Sequence, residues 1–146
     1  MEFEEWFNQP STRRAFGTAL ILSVAYLLTV LGYFAPESPL QGWQEFIEFL
    51  FSPETAGFGW YFFGGYVLYL GIPLVLLVRF SLLVPFLLVA LEQARWLASN
   101  PTTHELGAPL SVLFWPVTLV LLLILAWVEY KIHVGLGLPV QPVING

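Results

Sequence analysis

The side chains able to do chemistry are few: His104 and His133 are the two histidines, Cys is absent, and all ten acids are Glu. An enzyme needs a nucleophile beside a base, or ligands for a metal. Along one helix the two histidines would stand about 43 Å apart, at opposite membrane surfaces, so a single chain cannot bring both to one metal or haem. Glu129 and His133 are spaced i, i+4 and share a helix face, as two metal ligands would. An interfacial ion pair or a solvated last turn accounts for the same spacing. His104 beside Glu105 falls in a loop and says less. His-Glu-x-x-His, a glycine-rich phosphate loop and a serine elbow are missing. No catalytic, cofactor or metal site is therefore expected.

What must carry these residues is set by composition. Of 146 residues, 58 % are hydrophobic and 10 % charged, five Lys/Arg against ten Glu, where a water-soluble domain carries about 25 % charged residues. The length allows one domain, and lipid is its solvent. A disordered chain lacks such apolar runs, a disulfide scaffold needs Cys, and a nucleic-acid binder needs a basic surface.

Four charge-free runs stand out: Ala15 to Phe34, Thr55 to Val78, Phe80 to Leu91 and Leu106 to Val128. One crossing takes roughly 20 apolar residues, so the first, second and fourth qualify alone. The first exceeds a signal-peptide core, and Gly32-Tyr33-Phe34-Ala35-Pro36 offers no cleavage site, so it reads as a retained anchor. Thr12-Arg13-Arg14-Ala15-Phe16 resembles a twin-arginine export signature; two positive charges holding the end of a span explain it equally.

From Phe58 to Leu91 a single charge, Arg79, interrupts 34 residues, which as one helix would reach about 51 Å. Either the chain turns at Val78-Arg79-Phe80-Ser81, or one long helix kinks and leaves the membrane, with Pro73 and Pro85 as bends. Phe80 to Leu91 is apolar on every face, unlike a surface helix, which favours four crossings over three. The expected architecture is a single all-α, polytopic helical bundle with spans at about 15–34, 58–78, 80–97 and 108–130. In it Glu92 lies near the far interface, where Arg95 can pair with it and Trp96 can sit among headgroups. Lys/Arg distribution places the cytoplasmic side: Arg13 and Arg14 set the N-terminus inside, and four crossings bring the C-terminus back there. Trp60, Trp96, Trp115 and Trp127 lie towards run ends, as interfacial aromatics do.

The loop Ala35 to Ala56 holds four of the Glu and no Lys/Arg. Within it Ser38-Pro39-Leu40-Gln41 predicts a capped helix start with a capping box, and Trp43, Phe46, Ile47 and Leu50 recur at helical spacing opposite Gln44, Glu45 and Glu48. An amphipathic helix over about 39–52, lying on the bundle's outer rim, is expected. Ser99-Asn100-Pro101-Thr102 reads as a loop, and 134–146 as an irregular tail.

Intramembrane charge is the usual pointer to function. Four crossings let Arg79 and Glu92 escape to the interfaces; three would bury Arg79 and require a partner such as Glu92 or Glu129. The small residues say more. Ala15, Ala19 and Ser23 form one stripe and Gly57, Gly64 and Gly71 another, the pattern that lets helix backbones approach closely in lipid. These features predict a small non-enzymatic membrane protein, an accessory or assembly subunit that packs with itself or a larger complex. The alternative is an oligomeric transporter or channel, lined by Thr18, Ser23, Thr29, Ser111 and Thr118. Because Cys is absent, a single Cys at Asn100 or Asn145 can be probed with an impermeant thiol reagent. Four crossings predict labelling of Asn100→Cys from outside and of Asn145→Cys from inside; the reverse pattern means three.

Overall fold

The computed structural model describes Glu5 and residues 9–33, 38–99 and 110–139. Among them the regular elements are helices: α1 Pro10–Tyr33, α2 Pro39–Phe51, α3 Ala56–Phe80, α4 Val84–Ala98, α5 Leu110–Leu113 and α6 Trp115–Gly135. α1, α3 and α6 are long and apolar enough to cross a membrane; their 24, 25 and 21 residues reach about 36, 37 and 31 Å. Each buries only part of its surface. In α6 the buried positions are Leu119, Leu122 and Ala126, while Val117, Val120, Leu121 and Ile124 lie exposed, and in α1 Ile21 is 68 % exposed. A helix apolar on all sides but packed along one stripe suits a hydrocarbon solvent.

α3 is the hub, packing against every other helix. Its neighbours' directions follow from which residues meet. At the end of α3, Arg79 donates to Thr12 Oγ1 (3.1 Å) and Gln9 Oε1 (2.7 Å) at the start of α1, so these two helices are antiparallel. Tyr66 and Tyr69 of α3 bond to Gln93 and Glu92, so α4 doubles back along α3. Tyr61 near the start of α3 donates to the Leu113 carbonyl just before α6 (2.9 Å), whereas Glu129 late in α6 reaches Leu83 and Val84; α6 therefore runs parallel to α3. The core joins Leu27, Leu31, Tyr66, Tyr69, Val89, Val112, Leu119 and Leu122.

The turn after α3 differs from the expected one. The helix continues through Arg79, whose guanidinium is held by α1, and ends at Ser81, which adopts a left-handed conformation (φ 57°, ψ 28°). The Ser81 and Leu82 N–H groups donate back to the Leu77 and Leu76 carbonyls. Ser here fills the place that Gly usually takes. Starting only at Val84, α4 has 15 residues, about 22 Å, less than the roughly 30 Å hydrocarbon layer. Its first turn has no side-chain cap of its own. Glu129 supplies one from α6, accepting from the Leu83 and Val84 N–H groups at 2.8 and 2.9 Å and placing negative charge at a helix N-terminus.

In α2, Ser38 Oγ accepts from the Gln41 N–H and Pro39 opens the helix. The capping box is not closed, because the Gln41 side chain donates to Glu45 instead. Leu50 is buried and Phe46 half-buried against the core, while Ile47 is exposed; the Trp43 indole donates to the Leu28 carbonyl of α1 (2.8 Å). The final span begins later than expected because Trp115–Pro116 starts a new helix after α5, and it extends beyond residue 130 to Gly135.

The small-residue stripes fare differently. Ala15 and Ala19 pack against Val75 of α3, and Ser23 lies 3.4 Å from where a Gly71 Cβ would stand. Gly57 and Gly64, read as continuing the α3 stripe, face open space. The close approach is instead at Gly65, where the Trp115 indole lies inside the contact distance of any Cβ. In detergent unfolding assays, Gly65→Ala should therefore destabilise by about 1–3 kcal/mol, while Gly64→Ala should be neutral or stabilising by up to about 1 kcal/mol. Equal effects would contradict this packing.

Candidate functional site

The polar side chains inside the bundle converge on the middle of α3. Tyr66 and Tyr69, one helical turn apart, are buried to within 2 % of full. Tyr69 precedes Arg79 by ten residues, about 15 Å along the helix, and so lies near mid-span. The α3–α4 hairpin sets Glu92 and Gln93 beside them. Tyr69 donates to the Glu92 carboxylate. Gln93, 4 % exposed, accepts on Oε1 from Tyr66 (3.0 Å) and from Tyr26 of α1 (2.9 Å). One amide oxygen thereby ties three helices together. The Tyr26 and Tyr66 rings lie 6.4 Å apart. The Gln93 amide nitrogen and the Ser111 hydroxyl border the Tyr69 hydroxyl, but neither atom meets hydrogen-bond geometry with any group.

This corrects the expected position of Glu92. Because α4 starts at Val84 and folds back on α3, its carboxylate stands level with mid-span rather than near the far interface. It is bonded by Tyr69 and makes no ion pair with Arg95, which is exposed. Arg13 and Arg14 are exposed at the start of α1. Arg79, a charge on which the sequence leaves two readings, is held by Gln9 and Thr12, with its guanidinium over the Phe80 ring; it meets neither Glu92 nor Glu129. Glu129 serves as the α4 cap, with His133 Nε2 3.9 Å from its Oε1. His104 and Glu105 lie outside the described residues. Among the described residues no three His, Cys, Asp or Glu side chains gather as metal ligands would.

Three of the five hydroxyls proposed to line a pore are turned towards backbone. Ser23 donates to the Ala19 carbonyl, Thr29 to that of Ala25, and Thr118 to those of Ser111 and Phe114. Ser23 is moreover buried against α3.

Sequence reasoning passed over Tyr26, Tyr66, Tyr69 and Gln93. The available signal was the pair of Tyr three residues apart within the apolar second run, together with a Gln beside the Glu that ends the third. The geometry does one kind of work: phenol donors and amide or carboxylate acceptors fasten α1, α3 and α4 at one depth. Hydrogen bonds inside membrane bundles contribute about 0.6 kcal/mol on average and up to about 1.7. A double-mutant cycle of Tyr66→Phe and Gln93→Leu should give a coupling energy within that range. A cycle of Tyr66→Phe with Arg95→Ala should give none, and equal coupling in the two cycles would remove the case for the cluster.

No known family, curated protein or solved structure matches this chain.

Proposed function

We propose that the chain is a non-enzymatic integral membrane protein of four crossings, with both termini inside, that acts as an accessory or assembly subunit by packing with itself or with a larger membrane complex. The observation that carries this reading is how the polar groups are engaged. Arg79 fastens α1 to α3, Gln93 fastens α1, α3 and α4, and Glu129 fastens α6 to α4, while broad apolar faces of α1 and α6 are left uncovered. Bonds of this kind make a rigid scaffold, and uncovered faces suit contact with other helices or lipid.

Helix directions support four crossings. α4 departs from the Arg79 end, and Leu113, just before α6, meets Tyr61 at the opposite end. Between Leu83 and Leu113 the chain therefore changes ends, even though α4 alone is short of a full crossing. In that arrangement Arg13, Arg14, Arg79 and Lys131 share one end and Arg95 lies towards the other, the asymmetry expected of a cytoplasmic side. The engaged hydroxyls of Ser23, Thr29 and Thr118 weigh towards packing and away from a shared pore.

Extraction in mild detergent is expected to yield the protein with a second membrane protein, or as an oligomer of defined size by light scattering. A strict monomer with no partner at every detergent concentration would sink the proposal.

A further inference from the structure

α2 bridges the Tyr33 end of α1 and the Ala56 end of α3, and it is fastened below those ends rather than above them. Pro39 lies 3.2 Å from where a Gly32 Cβ would stand, the Phe49 carbonyl oxygen 3.0 Å from that of Gly59, and the Trp43 indole donates to the Leu28 carbonyl. Leu28 is five residues in from Tyr33 and Gly59 three in from Ala56, about 8 and about 5 Å along their helices. Both helices exceed the roughly 30 Å hydrocarbon layer by only about 3 Å at each end. These contacts therefore set α2 at the edge of that layer, not in the water beyond it.

The order of residues around the helix matches that depth. Phe46 and Leu50 point into the bundle: Leu50 is buried, and the Phe46 ring lies 6.0 Å from that of Phe63, about 10 Å down α3. At about 100° per residue, Glu48 projects opposite this edge with Gln44 beside it. Leu40 and Ile47 stand about a quarter turn to one side, with Phe51 next to them, and the three are 60, 55 and 69 % exposed. The strip they form is apolar, faces sideways, and continues into exposed rings at the ends of the two spans: Phe51 meets Trp60 of α3 edge-on at 6.0 Å, and Tyr33 closes α1. Aromatic rings at span ends occupy the headgroup zone. An apolar strip level with them, between an inward edge and a polar outward arc, meets lipid.

We propose that the Leu40–Ile47–Phe51 strip of α2 docks on phospholipid, so that the helix lies at the boundary between headgroups and acyl chains with Gln44, Glu45 and Glu48 towards the water. The proposal rests on α1 and α3 being membrane spans. An interfacial helix sinks its apolar face about 5–10 Å into that boundary. Because the polar arc is acidic, apolar burial and the bonds to α1 hold α2 there, without attraction to anionic headgroups. Placed so, α2 is a float that fixes how deep this end of the bundle sits.

With no native Cys, single nitroxide labels on Leu40→Cys, Ile47→Cys and Glu48→Cys test this in the full chain in phosphatidylcholine nanodiscs, with Ile21→Cys as the mid-span reference. All four side chains are exposed, so the labels leave the packing intact. Collisions are read with oxygen, which concentrates in hydrocarbon, and with a nickel chelate, which stays in water. Oxygen should prevail at the Leu40 and Ile47 sites, by less than at Ile21, and the balance should reverse at Glu48. Equal chelate access at the Ile47 and Glu48 sites, the mark of a helix held in water, would overturn the proposal. So would an Ile47 site closed to both reagents, which would mean that a second copy covers the strip. Collisions dominated by the chelate at Ile21 would instead remove the spans themselves, and the proposal with them.

Discussion

Hydrocarbon offers no partner to an N–H or O–H group, so each polar atom within the bilayer must be answered from inside the protein. That requirement shapes the whole bundle. Where water would solvate a Gln side chain indifferently, here its single oxygen draws phenols from α1 and α3 to α4. Where a soluble helix would begin with its own Ser or Asp, α4 takes both oxygens of a carboxylate that lies 45 residues further on. Arg79 is answered by the first turn of α1, and the Trp43 indole by a carbonyl of that helix. With so little driving force from apolar burial between helices in lipid, these few directional bonds set which helices are neighbours and at what register.

The three long helices were legible because length and apolarity are local properties of the chain. So was the start of α2, since Ser38, Pro39 and Gln41 act within one turn. What escaped depended on the register between distant segments. Whether Arg79 sat at a turn or just before one hinged on Gln9 and Thr12, some 70 residues away. Ser81 gave no warning, because the left-handed turn it adopts is ordinarily marked by Gly or Asn. Glu92 was placed by counting along an ideal helix from Arg79, and the few residues taken up by the turn moved it to mid-span.

Glycine spacing misled for a related reason. A seven-residue repeat identifies a face, but which face meets a neighbour is decided by the partner. Ser23 comes up to Gly71, yet Trp115 arrives over Gly65 and leaves Gly57 and Gly64 open. The buried cluster was hidden in another way. Tyr is a common interfacial residue in membrane proteins, so Tyr26, Tyr66 and Tyr69 attract no notice until the hairpin brings Gln93 and Glu92 against them.

The cap that Glu129 places on α4 bears on the order in which the chain is built. During synthesis α4 emerges well before α6, a short helix whose first amide groups have no acceptor of their own. Without α6 those amides have no protein acceptor, and α4 is held by its hairpin with α3 and by the bond from Tyr26 of α1 to Gln93. Arrival of α6 completes it. The first turn of the short helix thus depends on a residue made 45 positions later, while the rest of that helix is tied to segments made before it.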